Sequence, residues 1–419
     1  MLYAGIDWGD SGSVMVVMND KGKVLKKWKV EQKLEDYEMA VTEISRLEGN
    51  PDEVAFAIET PHHPLLHFLV ENGYTGYTPN PKSVDRAREI ESPSGKKDDY
   101  FDALTLANMV RMDRGRLRSF LPDSPATVKL RALCDIHRSL VEMRTALTNR
   151  MKHCLKYYWP IAPKLFSKLD SKIAIAFFTR WSDPKTAMDE EQSVISDFMK
   201  EHSYPCPKNI GKILAKLRRP SIPLSEAAIE GKTWQLKFLL PQLETLCRQI
   251  ESCEKEIAIR FDAHPDSAIF QSLLINKNST SRILVARLLC DFGDRRDRYT
   301  SRDEILAIAG VAPVTYETGN GSFRLVKMRR ACRKHFRNDI QQLADLYRQH
   351  YPWATAIYQV NLSGKKNRHN TALRALGNIL LRIVFYLWKT EEQFDAEIYL
   401  ARRAEQILVQ NTHRARKTK

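Results

Sequence analysis

Short runs of apolar residues, each bounded by polar or turn-forming residues, fill the start of the chain. The runs Leu2–Ile6, Ser13–Met18 and Val24–Val30 have the length and composition of strands, and they predict a β-meander. Asn19–Gly22 separates the last two runs and supplies residues that tolerate left-handed backbone angles, as a tight turn requires.

Helical and strand patterns alternate after the meander. Residues 33–48 and 65–72 have helical periodicity, while residues 54–58 and Tyr74–Thr78 are short apolar runs of strand length. Strands that alternate with helices imply a sheet covered by helices. The N-terminal part of the chain is therefore predicted to have an α/β fold.

Two long stretches in the middle of the chain carry apolar or semi-apolar residues at alternating spacings of three and four. The first runs from Lys129 to about Trp159, and the second from Leu239 to Ile257. This spacing is typical of two long helices that pack as a coiled coil. His137 and Arg144 fall on the seam of the first helix, so the pairing is imperfect or the seam is partly shared with another partner.

The C-terminal part of the chain combines helical patterns with a segment rich in glycine and proline. Helices are predicted around Ser279–Phe292 and Arg302–Ala309, and Gly310–Gly321 is predicted to be a turn region. A strongly basic segment from Ser322 to Asn338 follows, and it contains no acidic residue before Asp339.

The chain of 419 residues exceeds what one hydrophobic core usually spans. We expect an α/β domain over 1–120, an all-α coiled-coil oligomerisation domain over 121–265 and a mostly α domain over 266–400. A basic tail occupies 401–419. Within the middle domain, residues 160–234 contain prolines and predict a helical insert without defined elements.

The net charge of +15 and the isoelectric point near 9.4 favour a polyanionic partner, because lysines and arginines gain affinity by releasing counterions from phosphates. Seven basic residues in the segment after Ser322 are candidate nucleic-acid contacts: Arg324, Lys327, Arg329, Arg330, Arg333, Lys334 and Arg337. The alternative is that they form only a solvated face.

Membrane and disulfide-rich classes are disfavoured. The longest apolar run, Asn378 to Trp388, is broken by Arg382 and is shorter than a bilayer span, and the N-terminus has no charged-then-apolar leader. The seven cysteines are scattered without a Cys-x-x-Cys pair, which argues against a zinc ribbon. We therefore expect a protein of a reducing cytoplasm.

Four acidic residues stand where strands end or a helix begins. Asp7 follows the first strand, and Glu59 closes the strand over residues 54–58. Asp99 and Asp102 share one face of a helix that Asp98 is predicted to cap. Carboxylates at such positions are costly unless a cation neutralises them, so we expect them to share divalent ions. Solvated strand and helix ends are the alternative explanation.

The meander with its acid, Gly5-Ile6-Asp7-Trp8-Gly9, occurs in two α/β folds. One is the RNase-H fold, in which the acid holds Mg²⁺, and the other is the actin and sugar-kinase ATPase fold. The sequence has no second Asp-x-Gly-Ser/Thr phosphate turn, and the positive charge favours nucleic acid. His62, His63 and His67 are expected to be structural or to face the substrate rather than to form a metal site.

These residues resemble a known family, the DEDD transposases of bacterial insertion sequences, which are RNA-bridged recombinases. The resemblance rests on the strand around Asp7 and on Lys97-x-Asp99-x-x-Asp102-Ala103-Leu104. Its most specific parts are Ala309–Thr315 and the segment Arg329-Arg330-Ala331-Cys332-x-Lys334-x-x-Arg337.

The resemblance implies a RuvC-like catalytic domain of RNase-H fold, a coiled-coil region and a C-terminal transposase domain. It implies that Asp7, Glu59, Asp99 and Asp102 coordinate Mg²⁺, as two ions with Mn²⁺ as an alternative. It also implies a serine that becomes covalently linked to DNA. The implied partners are donor and target double-stranded DNA, a structured non-coding bridge RNA and further copies of the chain, as a dimer or tetramer. The resemblance also implies a protein of the bacterial cytoplasm, associated with the nucleoid.

The chain departs from the family pattern at the nucleophile. Thr318 occupies the position where relatives carry serine, and Ser322 follows four residues later on a glycine-preceded turn. Either hydroxyl could attack, and Ser322 is favoured because it is less hindered and lies beside the arginines. A second departure lies at Ile275–Thr280, where relatives tend to have a glycine-rich hairpin.

Two other functions fit the same residues. A metal-dependent Holliday-junction endonuclease would use water and would need no protein hydroxyl. A non-catalytic nucleic-acid-binding protein would need neither the hydroxyl nor the carboxylates. A covalent protein–DNA adduct would separate the recombinase from both.

Overall fold

A computed structural model describes residues 1–9, 12–47, 50–61, 63–91, 98–219, 224–275, 279–319, 323–362 and 369–400. The chain divides into two compact units, Met1–Pro122 and Asp123–Lys419. The first contains a mixed sheet with helices and the second is mostly helical, so the coarse prediction of an α/β part before a helical remainder is confirmed. The predicted tail over 401–419 lies outside the described residues.

Five strands form the sheet of the first unit: β1 (Leu2–Gly9), β2 (Gly12–Asn19), β3 (Val24–Val30), β4 (Val54–Ile58) and β5 (Thr75–Tyr77). They lie in the order β3-β2-β1-β4-β5. The first three pair antiparallel, as a meander does, while β4 is parallel to β1 and β5 is parallel to β4. All five predicted strands are therefore confirmed.

Four helices accompany this sheet: α1 (Leu34–Leu47), α2 (Pro64–Glu71), α3 (Pro81–Glu91) and α4 (Asp99–Asp113). The sequence patterns predicted all of them except α3. Pro81 is its first residue, and Asn80 Oδ1 accepts a hydrogen bond from the backbone N–H of Lys82 at 3.0 Å. Val84 is its one buried residue, so α3 has hardly any apolar stripe for a periodicity search to find.

Alternating residues of β1 face opposite sides of the sheet. Leu2, Ala4 and Ile6 pack in one core with residues of α1 and α2, while Tyr3 packs in another core with residues of α4. Gly5 shares the second face, and a Cβ there would lie 1.9 Å from the carbonyl oxygen of Ala103. Glycine thus lets α4 lie directly against β1.

In the ranges that the structure describes, the second unit contains twelve α-helices and one pair of strands. The helices are α5 (Pro125–Tyr158), α6 (Lys172–Arg180), α7 (Pro184–Asp189), α8 (Gln192–Glu201), α9 (Ile210–Leu217), α10 (Glu226–Asp262), α11 (Ser267–Gln271), α12 (Ser279–Phe292), α13 (Arg302–Ile308), α14 (Lys334–His350), α15 (Pro352–Leu362) and α16 (His369–Thr390). They surround two hydrophobic cores. One core contains residues of α6–α9, of the C-terminal part of α5 and of the N-terminal part of α10. The other contains residues of the N-terminal part of α5, of the C-terminal part of α10 and of α11–α16.

The two long helices α5 and α10 pack antiparallel. Thr127 Oγ1 near the start of α5 lies 2.8 Å from His264 Nε2 just beyond α10, and Cys154 Sγ near the end of α5 donates to the carbonyl of Lys232 at 3.3 Å. The prediction of two long paired helices is confirmed, although both extend further than the heptad pattern indicated. Pro241 lies inside α10 without ending it.

A two-stranded antiparallel hairpin replaces part of the predicted turn region. Residues Val314–Thr318 form β6 and pair with β7, Phe323–Lys327. The prediction of turn structure through this whole segment was wrong, because the β-branched and aromatic residues Val314, Thr315 and Tyr316 favour a strand between the flanking glycines and prolines. Residues Phe323–Lys327 of the basic segment thus form a strand.

Helix α16 is the one helix in the described part of the chain that is long and apolar enough to cross a membrane. Half of its most apolar stretch is buried, and Leu376, Leu380 and Trp388 belong to a hydrophobic core of the second unit. Core helices of globular domains pass the same test, so the finding is weak support for a membrane span. All seven cysteines are free thiols, and Cys134 and Cys290 lie 3.9 Å apart without a bond.

Candidate functional site

The carboxylates of Asp7 and Glu59 follow paired positions of neighbouring parallel strands. Ile6 of β1 pairs with Ile58 of β4, and the next residue in each strand direction is acidic. Because side chains alternate, both acids lie on the side of the sheet opposite the buried Ile6 and Ile58, which is the side that α4 covers. The carboxyl ends of β1 and β4 thus direct two acids toward one helix.

Helix α4 contributes the other two predicted acids through its first turn. Asp98 caps the helix by accepting a hydrogen bond from the backbone N–H of Tyr100 at 3.2 Å, as predicted. Asp99 is exposed, whereas Asp102 retains only 2% of its surface. A carboxylate this buried requires a cation or hydrogen-bond donors to compensate its charge.

The electrostatics of Asp7 show that the four carboxylates interact. Burial is the main cause that raises the pKa of the Asp7 carboxyl, to about 6. The negative charges of Asp102 and Asp99 raise this pKa further, and Glu59 adds to the rise. Arg88 acts in the opposite direction. The structure therefore places Asp102, Asp99 and Glu59 near enough to Asp7 for their charges to affect its carboxyl.

Arg88 of α3 is the residue of this cluster that the sequence patterns missed. Its Nε lies 2.7 Å from Asp102 Oδ1, and its Nη2 lies 3.5 Å from Glu59 Oε2. Its Nη1 contacts Asp85 Oδ1 at 3.2 Å on the same helix. Asn80 and Pro81 together are a helix-start signal that could have located α3. The number of residues between α3 and α4 in the sequence could not have indicated whether Arg88 lies on the side of α3 that faces the carboxylates.

The contact between Arg88 and Asp102 is an ion pair without hydrogen-bond geometry. Arg88 Nε and Asp102 Oδ1 are both buried, and neither has a hydrogen-bond partner in the described part of the chain despite their 2.7 Å separation. A buried carboxylate oxygen is thus left without a donor. Such an atom is a position that a metal ion could satisfy.

The donor set fits a hard divalent cation, because it consists of carboxylate oxygens. Over the described ranges, no three His, Cys, Asp or Glu side chains are already arranged to hold one ion. The guanidinium of Arg88 lies among the carboxylates instead, between Glu59 and Asp102. Asp7, Glu59, Asp99 and Asp102 are therefore chemically suitable ligands for such an ion, and Arg88 lies between two of them.

The histidines beside Glu59 have structural roles where the structure describes them. His63 is 4% exposed, and its Nδ1 accepts a hydrogen bond from the backbone N–H of Leu65 at 3.2 Å, which caps α2. The ring of His67 packs edge-on against Phe120 with centroids 5.2 Å apart. His62 lies outside the described residues.

The basic segment of the second unit is largely exposed. Lys327, Arg330, Arg333 and Lys334 are exposed, whereas Arg329 and Arg337 are half-buried. The Nζ of Lys327 lies 5.3 Å from the ring of Tyr316 across the hairpin. The backbone N–H of Arg333 donates to the carbonyl of Ile308 at 2.8 Å, which ties the segment to α13.

None of these six basic residues forms an ion pair with an acid in the part of the chain that the structure describes. Arg324 lies in β7 opposite Glu317 of β6 in the strand register. Unpaired, exposed guanidinium and ammonium groups are available for phosphate contact.

Of the two candidate hydroxyl residues, Thr318 is the last residue of β6 and pairs in register with Phe323. Gly319 follows it with φ of +60°, a left-handed angle that starts the reversal of the chain. Ser322 lies outside the described residues.

Comparison with known proteins assigns both units. A DEDD model described as transposase, of the IS110 type, matches residues 4–160, and a model described as the transposase IS116/IS110/IS902 family matches residues 272–359. A protein of Streptomyces coelicolor that is named as the mini-circle transposase for IS117 is 26% identical over 406 residues, which are 94% of this chain and 96% of the relative. A protein of Sinorhizobium fredii, named as transposase y4uE, is 29% identical over 227 residues, which are 52% of this chain and 63% of the relative.

The two family matches cover the four acidic residues and the basic segment respectively, and the alignment to the Streptomyces relative extends through nearly the whole chain. The chain belongs to the IS110-type family of insertion-sequence transposases.

Proposed function

We propose that this transposase cleaves and exchanges DNA strands through a covalent intermediate between a protein hydroxyl and a DNA phosphate, with Mg²⁺ held by Asp7, Glu59, Asp99 and Asp102. The observation that carries the proposal is the convergence of these carboxylates on the α4 side of the sheet. The strand order β3-β2-β1-β4-β5, with an antiparallel meander followed by parallel strands, supports an RNase-H-like, RuvC-like domain.

Two divalent ions at the carboxylates would supply Lewis acidity that stabilises the attacking and leaving oxygens of a phosphodiester displacement. Asp102, fixed on α4 and almost fully buried, would orient the site from one side. Asp7, at the end of β1, would bind from the sheet. The exposed Asp99 and half-exposed Glu59 would bind at the solvent side, where DNA would enter.

The hydroxyl would come from the β6–β7 hairpin. Ser322 is favoured and Thr318 is the alternative. The hydroxyl gives its proton to solvent and its oxygen bonds to phosphorus, while the bond from phosphorus to one DNA ester oxygen breaks. This ester oxygen takes up a proton from solvent and leaves as a DNA hydroxyl. The second exchange step reverses these bonds with another DNA end. Exposed Arg330 and Arg333 would bind the flanking phosphates.

Assembly and guidance complete the proposal. The antiparallel pair α5 and α10 would act as a coiled-coil oligomerisation element, and the exposed apolar side chains Ile136, Met143 and Ile259 on these helices support a protein–protein contact there. A structured RNA that pairs with donor and target DNA is proposed from the family resemblance, and the basic charge of the chain is compatible with it.

Trapping of the covalent adduct tests this function. The full-length protein, Mg²⁺, labelled DNA from the region flanking its gene and RNA transcribed from the adjacent non-coding sequence would be incubated and separated on a denaturing gel. We expect a protein–DNA adduct that is lost in Ser322→Ala and in Asp102→Asn. Thr318→Ala is the matched control, because loss of the adduct in that variant alone would move the nucleophile to Thr318.

Cleavage without an adduct would contradict the proposal and would support a Holliday-junction-type nuclease that uses water. Strand exchange that persists in both Asp7→Asn and Asp102→Asn would contradict the metal site. DNA binding without cleavage under all these conditions would support a non-catalytic protein.

A further inference from the structure

The acidic site contains its own cation. Arg88 reaches from α3 to Glu59 and Asp102, at 3.5 Å and 2.7 Å, and its side chain retains about a quarter of its exposed surface. In the described part of the chain, its guanidinium is therefore a positive group that compensates these carboxylates.

The ion pair between Arg88 and Asp102 lacks hydrogen-bond geometry. A strong arginine–carboxylate pair has two parallel N–H···O bonds, whereas Arg88 Nε and Asp102 Oδ1 touch without hydrogen-bond alignment. Both atoms are buried and otherwise without a partner in the described chain. The pair thus compensates charge but leaves a donor and an acceptor unsatisfied, and a competing cation could satisfy the acceptor.

Asp85 gives the guanidinium another position. It lies three residues before Arg88 on α3, contacts Arg88 Nη1 at 3.2 Å and is 61% exposed. Arg88 could therefore leave Glu59 and Asp102 and keep one ion pair at the surface, by rotation of its own side chain without movement of the helix.

We propose that Arg88 is a tethered counter-ion that neutralises Glu59 and Asp102 in the metal-free protein and moves toward Asp85 when a divalent cation binds. The inference rests on the proposed function, because it requires the carboxylates to be a metal site. It predicts that cation binding competes with an ion pair inside the protein, which lowers the affinity and keeps the empty site stable.

Direct measurement of Mn²⁺ binding tests the competition without any activity assay. Free Mn²⁺ would be followed by electron paramagnetic resonance during titration of the full-length protein. We expect Arg88→Gln to bind Mn²⁺ about tenfold more tightly than the wild type, since a competing partly buried ion pair is removed. Arg86→Gln is the matched control, because Arg86 is exposed on the same helix and its loss changes the net charge equally.

Arg88→Lys separates competition from long-range charge. Lysine keeps the positive charge but lacks the fork that reaches Glu59, Asp85 and Asp102 at once. We expect Arg88→Lys to bind Mn²⁺ about threefold more tightly than the wild type, whereas a purely long-range effect would leave its affinity unchanged.

Thermal unfolding supplies a second readout. Without metal, Arg88→Gln should unfold at a lower temperature than the wild type, because its carboxylates repel one another, and saturating Mn²⁺ should remove the difference. If Arg88→Gln and Arg88→Lys bound Mn²⁺ no more tightly than the wild type while Asp102→Asn still reduced binding, the inference about Arg88 would be overturned and the metal site would stand. Absence of Mn²⁺ binding in every variant would overturn the metal site and this inference together.

Discussion

Arg138 and Asp339 lie 201 positions apart in the chain, and Arg138 Nη2 approaches Asp339 Oδ2 to 2.7 Å. Arg287 reaches the other oxygen of Asp339 at 3.4 Å. The carboxylate therefore joins α5 and α12 to α14, two residues after the last arginine of the basic segment. The side chain of Asp339 is only 3% exposed, so this network fixes the position of α14 from within the core.

Asp339→Asn should destabilise the second unit strongly. The substitution preserves volume but removes the carboxylate that Arg138 and Arg287 share. Arg138 keeps Asp135 and Asp291 as acidic partners, whereas Arg287 contacts no other acid in the described ranges. Breaking such a buried pair costs about 3–5 kcal/mol. Chemical unfolding measures this cost as a lower midpoint. Asp345→Asn on the same helix is the control: Asp345 pairs with Arg348 near the surface, so we expect a loss below about 1 kcal/mol. Equal losses in the two variants would contradict a structural role for the network.

Asp291, in the same network, should make stability depend on pH. Burial is the main cause that raises the pKa of its carboxyl to about 7; the negative charge of Asp339 adds to the rise and Arg138 opposes it. In the unfolded chain the group titrates near 3.8, so between these values the folded state holds a proton that the unfolded state has lost. The contribution of Asp291 to stability therefore falls as pH rises from about 4 to about 7 and is constant above that range.

Asp291→Asn tests this dependence. The neutral side chain cannot titrate, so the variant should lose the part of the pH profile between about pH 4 and about pH 7 and gain stability relative to the wild type at about pH 8. Thermal unfolding of both proteins across that range is the measurement. Parallel profiles would show that Asp291 does not carry the dependence.

The sequence indicated the acidic residues of the site but not the arginine that lies among them. Asp7 and Glu59 could be predicted because each ends an apolar run of strand length, and Asp102 because Asp98 and the following residues start a helix. Arg88 could not, since α3 buries only Val84 and has almost no apolar periodicity. Which charge a residue compensates depends on which helices pack together in the tertiary structure, and sequence patterns do not contain this information.

The seam of α5 shows the same limit. His137 and Arg144 interrupt an apolar stripe, and the sequence left open whether the pairing was imperfect or shared. In the structure His137 lies 3.2 Å from Glu254 of α10 and 2.8 Å from Arg287 of α12, so its position is shared by two partners. Arg144 contacts Asp170 in the insert at 3.4 Å. Polar seam positions of α5 thus meet polar partners, which a hydrophobic pattern cannot identify.

Gly5→Ala should separate the two halves of the acidic site. The added Cβ would lie 1.9 Å from the carbonyl oxygen of Ala103 and 2.4 Å from the backbone nitrogen of Ala107, and backbone atoms cannot move aside without shifting α4. We expect a loss of about 1–3 kcal/mol in unfolding free energy, together with loss of Mn²⁺ binding as Asp102 moves from Asp7.

Gly231→Ala is the control for this substitution. An added Cβ at Gly231 meets no atom within 4 Å, and the residue lies inside α10, so alanine should stabilise the protein by about 0.5–1 kcal/mol. Unchanged metal binding and stability in Gly5→Ala would contradict the close packing of α4 on β1.

Removal of two exposed positive charges from the basic segment should weaken the salt dependence of DNA binding by an amount that corresponds to two phosphate contacts. Arg330 and Lys334 are exposed and form no ion pair within the described ranges, so phosphate contact by both would release counterions from duplex DNA. In Arg330→Ala combined with Lys334→Ala, we expect the slope of log affinity against log salt to decrease in magnitude by about 1.8, which corresponds to two phosphate contacts. Fluorescence anisotropy with a duplex of arbitrary sequence measures this slope. Arg260→Ala is the control, because Arg260 is about half exposed but pairs with Glu256 at 2.7 Å, and its loss should leave the slope unchanged. An unchanged slope in the double variant would mean that the segment is a solvated face, and the phosphate contacts would then have to come from other basic residues.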